Sequence, residues 1–175
     1  KATAKATANY TTYGVLYNWT AAMNGAASSS SNPSGVQGVC PPGWHLPSDA
    51  EWTELETYLA NNGYNYDGST GGDFIRAKIA ISLASANGWN SSTNPGAIGN
   101  TNTAYDAYRN KSGFSALPGG YHGLFDLIGV DGTWWSSTQS PTSNAWRRIL
   151  NYGNSSVNRA SGNKDSGFSV RCLRD

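Results

Sequence analysis

The sequence is short of charge, histidine, sulfur and long apolar runs, and each shortage excludes something. Asp, Glu, Lys and Arg make up only 13% of the 175 residues, against roughly a quarter in an ordinary globular chain. The formal net charge is +1 with no basic stripe, so nucleic-acid binding driven by phosphate contacts is not expected. No apolar run approaches the roughly 18 residues a spanning helix needs, and no membrane insertion is expected. The two histidines lack partners for catalysis. His45 sits between Trp44 and Leu46 and reads as a structural residue at a turn, and His122 follows the Gly119-Gly120-Tyr121 turn without a companion motif. Neither His-x-x-x-His nor Cys-x-x-Cys occurs, which argues against zinc. Asp126 and Asp131 flank a loop, but without the regular spacing of a calcium loop. The expectation is therefore a chain with no catalytic residue, no metal site and no cofactor.

Cys40 and Cys172 are the only cysteines. They are too far apart for a metal knuckle or a redox pair. Two buried free thiols and one long-range disulfide both remain open on these grounds. A bridge closing so long a loop would add about 5 kcal/mol in the chain-entropy description.

What the chain has in abundance is Asn, Ser, Thr and Gly, with 7 Trp and 10 Tyr. These uncharged polar and aromatic residues suit a loop-rich surface, and they also suit adaptable binding surfaces. Lys1 to Asn9 is an Ala/Thr/Lys run without an apolar segment, unlike an intact signal peptide. Residues 1–12 read as an extension or linker and residues 13–175 as one domain.

Residues 10–23 alternate aromatic and polar side chains and predict a strand or hairpin leading into one turn of helix. Residues 24–39 predict a loop, and Trp44-His45-Leu46 a short strand. A helix is predicted over 49–61: Ser48 and Glu51 form a capping box, Trp52, Leu55 and Leu59 share a face, and Asn62-Gly63 stops it. The apolar spacing of Phe74 or Ile75, Ile79 and Leu83 predicts a second helix over 73–85. A long excursion follows over 86–112. Strands are predicted at 113–117 (entering a turn at 118–121), 133–138, 145–150 and 167–173, the last with Phe168, Val170 and Cys172 on one face. Early helices and late strands in one domain make an α+β class.

Four separated blocks, CPPGWHLPSDAEW (40–52), GFSALPGGY (113–121), WWSST (134–138) and GFSVRCLRD (167–175), resemble in that order the Fibrobacter succinogenes major paralogous domain family. The resemblance implies a C-type-lectin-like fold related to the formylglycine-generating-enzyme branch, with two helices and a twisted antiparallel sheet. It also implies a bridge from Cys40 to Cys172. The enzyme branch uses a late cysteine pair, and here Cys172 has no near partner, so that activity is not carried over. The Glu-Pro-Asn and Gln-Pro-Asp tripeptides of calcium-dependent sugar-binding relatives are absent as well.

The tail NAWRRILNYGNSSVNRASGNKDSGFSVRCLRD resembles the variable region of proteins diversified by retroelements, in which template adenines are miscopied into the 3' end of a target gene. Ala145, Arg148, Leu150, Ser155, Val157, Arg159, Lys164 and Gly167 match the scaffold spacing. Arg147, Ile149, Gly153, Ser156, Ala160, Ser161, Gly162, Asp165 and Ser166 are each reachable from an Asn codon by changing adenines alone. Asn144, Asn151, Asn154, Asn158 and Asn163 would be unchanged template positions. The resemblance implies a ligand-binding region at about 144–166 made of these variable and Asn positions, with Trp146 and Tyr152 as further anchors. The function this implies is a receptor-binding or adhesin domain at a cell or virion surface, taking a protein or glycan ligand. A divergent formylglycine-generating-type enzyme and a ligand-free structural module of a surface or virion protein are the alternatives.

Overall fold

In the computed structural model the described residues are 8–72, 74–121 and 124–175, the side chains of 124–126 excepted. His122, Asp73 and the side chain of Asp126 lie outside them. Among the described residues four helices form: α1 (Ala8–Tyr13), α2 (Trp19–Met23), α3 (Asp49–Asn61) and α4 (Ala80–Leu83), with a 3-10 turn at Thr103–Tyr105. The strands are β1 (Trp44–His45), β2 (Gly119–Tyr121), β3 (Leu124–Ile128), β4 (Asp131–Gln139), β5 (Asn144–Asn151), β6 (Asn158–Asn163) and β7 (Leu173–Arg174).

The main sheet runs β3-β2-β4-β5-β6, and β1 pairs with β7 in a two-stranded sheet. All neighbours are antiparallel except β2 and β4, which pair in parallel at Gly120 and Gly132. The class is α+β. Among the described residues it departs from two helices and a twisted antiparallel sheet by two extra short helices, the 3-10 turn and this one parallel pair.

Side chains alternate between the faces of a strand, and the Trp134-Trp135 pair of β4 divides the interior accordingly. Trp134 enters a core with Trp52 and Leu59 of α3, Leu150 of β5 and Val157. Trp135 points the other way, into a second core with Trp19, Met23, Leu46, Ala145 and Phe168. One dipeptide therefore supplies an anchor to each side of the sheet. The Cys40–Cys172 disulfide lies in the second core and joins residues 132 apart.

Helix α3 forms over the predicted residues for the predicted reasons. Ser48 Oγ accepts from the Glu51 amide at 3.2 Å, and Glu51 Oε2 accepts from the Ser48 amide at 2.8 Å. Gly63 takes the left-handed conformation (φ 76°) that ends it.

The expected helix over 73–85 shrinks to Ala80–Leu83. All four of those residues are buried, so the apolar spacing records burial on every side and not an amphipathic face. The backbone there is also committed elsewhere: Arg76 and Ser155 carbonyls accept from the Val157 and Ala80 amides. Residues 10–23 form α1 and α2 in place of a strand or hairpin. Only Tyr17 is strand-like, exchanging two backbone hydrogen bonds with Phe168 before Asn18 caps α2. In 113–117 only Ala116 makes a bridge, to Ala84, and Ser115 has a positive φ of 57° that interrupts an extended run. The predicted strand 167–173 is extended but pairs only at isolated bridges, Phe168 with Tyr17 and Ser169 with Trp134, before β7.

Candidate ligand-facing surface

The ligand-facing region predicted at 144–166 is built mainly from β5, β6 and the loops at their ends. Cross-strand partners lie on one face of a sheet, and the pairs Arg148↔Arg159, Trp146↔Ser161, Arg147↔Ala160 and Ile149↔Asn158 fix what faces where.

One face looks onto α3. Arg148 is fully buried there, its Nε donating to Glu56 Oε1 at 2.5 Å and its Nη1 to Asp49 Oδ1 at 2.7 Å. Arg159 reaches the same Asp49 at 2.7 Å, and Arg76 donates to the second oxygen of Glu56 at 2.7 Å. Three guanidinium groups thus meet two carboxylates, and the remaining Arg148 donor reaches the Asp49 carbonyl and Thr53 Oγ1. Burial alone would raise the Asp49 carboxyl, but hydrogen bonds from Arg159 and Arg148 outweigh it and hold the group below its usual value. Trp146 shares this face, with the Arg159 guanidinium 3.4 Å from its ring centroid.

The opposite face carries Arg147 and Ile149 of β5 beside Ala160 and Asn158 of β6. Each of these four is at least partly exposed. The Arg147 guanidinium stacks on Phe168, 4.6 Å from the ring centroid, and Tyr121 packs edge-on against the same ring. Burial lowers the Arg147 guanidinium from its ordinary value, against the opposing pull of Tyr121 and Asp131. Further along, Asn151 donates to Asp131 at 2.6 Å and accepts from the Gly153 amide at 2.9 Å.

The strand-end segments add smaller edges. Asn163 Oδ1 accepts from the Asp165 amide, shaping a turn that leaves Asn163 and Asp165 exposed and Ser166 half-buried. The carbonyls of Tyr152, Gly153 and Asn154 hold the 94–99 loop, accepting from the Gly99 amide, the Asn94 side chain and the Ile98 amide. Ser156 is half-buried, Ser161 exposed and Asn144 half-buried.

The scaffold and variable positions separate by their bonding. Ala145, Leu150, Val157 and Gly167 are buried. Arg148 and Arg159 are ion-paired, Ser155 donates to the Ala77 carbonyl, and Lys164 donates to Gln139 and the Thr142 carbonyl. The side chains of Arg147, Ile149, Ser156, Ala160, Ser161, Asp165 and Ser166 make no hydrogen bond or ion pair with any described residue.

Several predicted positions fall away from the open face: Ser161 pairs with Trp146, and Asn144 with Asn163, on the α3 side of the sheet. Trp146 lies on the α3 side, because its register places it with Arg148. Gly162 is buried, and a Cβ there would stand 2.9 Å from Phe168 Cε2 and 3.0 Å from Arg147 Cδ. Sequence reasoning missed Tyr121 and Phe168, which come from distant segments. In the sequence Asp131 reads only as a loop-flanking residue without calcium-loop spacing. The lone available signal was that 131, 133 and 135 share a strand face.

His45 is buried and structural. Its Nε2 lies 2.7 Å from Glu51 Oε1 and its Nδ1 2.6 Å from Asp175 Oδ1. Burial works against its charge, but the two carboxylates outweigh it and raise its pKa above 6.5. Carboxylates on both ring nitrogens hold the imidazole in place and favour its charged form. Among the described residues no group of three His, Cys, Asp or Glu side chains is arranged to hold a metal ion, and no helix is long and apolar enough to cross a membrane.

No curated protein and no solved structure matches the chain significantly. The sequence profile of one family does match, across residues 1–174. On that match, the chain belongs to the Fibrobacter succinogenes major domain family.

Proposed function

We propose that this chain is a non-enzymatic binding domain of C-type-lectin-like architecture, presenting residues diversified by a retroelement to a protein or glycan on another cell. The observation that carries the reading is the division of labour in 144–166. Positions matching the scaffold spacing are buried or tied by side-chain bonds, and Arg147, Ile149, Ser156, Ala160, Ser161, Asp165 and Ser166 between them bear side chains without polar partners among the described residues, whereas Asn151 and Asn163 are hydrogen-bonded and Gly162 is buried. Such residues can change without unmaking the interactions that hold the strands, which is what a diversified surface requires. Binding would then rest on a few anchors among neutral contacts. A cell-surface adhesin and a virion receptor-binding protein would use this surface alike.

A formylglycine-generating-type reaction needs a reduced late cysteine, and here both cysteines are joined to each other. The binding reading is therefore preferred over the enzymatic one.

The test is a set of variants at Arg147, Ile149, Asn158, Ala160 and Asp165, screened against panels of cells and glycans. Unchanged melting temperatures with altered binding are expected. Variants that all fold alike and leave every interaction unchanged would refute the proposal. The retroelement component is tested separately: the neighbouring DNA should hold a reverse transcriptase and a near-copy of the gene's 3' end differing only at adenines.

A further inference from the structure

Arg147 differs from the other arginines of β5 and β6. Arg148 and Arg159 are neutralised by Asp49 and Glu56, whereas Arg147 forms no ion pair among the described residues, and Asp131 acts on it only from a longer distance. Its Nε is buried with no hydrogen-bond partner at all. An unsatisfied guanidinium donor is costly to bury, and planar guanidinium groups are suited to bidentate carboxylate recognition.

The side chain is also held in place. It lies across Gly162, whose missing Cβ leaves the room it occupies: a methyl group there would come within 3.0 Å of Arg147 Cδ and 3.1 Å of its Nε. Phe168 supports the guanidinium from below, and Phe168 is itself fixed between Trp135 and Tyr121. A cation fixed in this way gives up little freedom on binding.

Around it the face offers amides and few other charges. Asn158 supplies an exposed amide that both donates and accepts, while Asn151 and Asp131 are engaged with one another, and Asn151 also with the Gly153 amide. An acidic peptide, with carboxylates on successive residues, calls for several cations. One cation among amides matches one carboxylate among many hydroxyls.

We propose that the open face of β5 and β6 binds a carboxylated saccharide, with Arg147 receiving the carboxylate and Gly162 positioning it. This rests on the binding reading above and narrows its ligand.

The test compares sialyllactose and cellobiouronate, each with one carboxylate, with lactose and cellobiose, by calorimetry. The carboxylated forms are expected to bind roughly tenfold or more tightly, as a charged hydrogen-bonded contact gives. Arg147→Gln should erase that preference and leave the weaker neutral binding in place. Arg147→Lys keeps the charge but loses the fork, and should retain only part of the preference. Gly162→Ala should weaken binding through displacement of the guanidinium, and adding it to Arg147→Gln should cost nothing more, a coupling read from a double-mutant cycle. Circular dichroism identifies any variant that fails to fold, and the Arg147 substitutions carry the test if Gly162→Ala does.

Equal affinity for charged and neutral sugars overturns the inference, as does a preference that survives Arg147→Gln. Failure to bind any of these sugars overturns it too, and so does binding of a glutamate-rich peptide in their place. In all of these cases the broader binding proposal stands or falls on the cell and glycan panels alone.

Discussion

At the scale of single residues, the network beneath β5 is the most demanding feature. Arg148 and Glu56 are both fully buried, and the pair is retained because three arginines, two carboxylates and Thr53 satisfy one another. Truncating one partner leaves an uncompensated buried charge. Arg148→Ala should therefore destabilise the fold by about 3–5 kcal/mol in urea unfolding. Two further groups set the pH dependence. Asp49 is lowered in the folded protein, so its contribution is present above pH 3.8 and lost as pH falls through the lower folded value. His45 is raised, so its contribution is complete below pH 6.5 and lost as pH climbs through the higher folded value. Thermal unfolding across a pH series should show a plateau between these limits. His45→Gln should flatten the decline on the alkaline side.

At the scale of elements, α3 depends on Glu51 for more than its cap. Besides closing the capping box with Ser48, Glu51 accepts from the Ser34 amide at 3.0 Å and faces His45. Ser48→Ala removes only one acceptor and should cost about 1 kcal/mol in a chemical melt. Glu51→Ala should cost distinctly more, because the loop at Ser34 and the imidazole lose their partner as well. Local chemistry of this kind made α3 legible in the sequence to the residue. The strands β4 and β5 were legible from Trp134-Trp135 and from alternation, to within two residues at either end. Where the sequence misled, the deciding partner was distant. The apolar repeat of 74–83 could not show that Ser155 and Val157 would claim its backbone, nor could Tyr13 to Tyr17 reveal the bridge to Phe168. The binding face was legible as an alternating list of positions. Which side of the sheet each occupied depended on register, and so Trp146 was grouped with Arg147 although they point apart.

At the scale of the whole molecule, the two cores are held on opposite sides of one sheet, and the second of them is closed covalently. Reduction of Cys40–Cys172 should lower stability by about 2–5 kcal/mol, measured as a fall in melting temperature with added dithiothreitol. The loss should be felt first around Leu46, Trp135 and Phe168, whose core contains the bridge. Because Phe168 also supports Arg147, amide exchange at β6 should quicken with it.

The bridge has a mechanical consequence too. When the chain is drawn apart from its two ends, tension runs from the segment before Cys40 straight across the sulfur atoms to the segment after Cys172. Everything between, including the face formed by β5 and β6, lies on an unloaded branch. Single-molecule stretching should therefore release only the flanking segments, and reduction should add about 450 Å of contour, 132 residues at about 3.4 Å each.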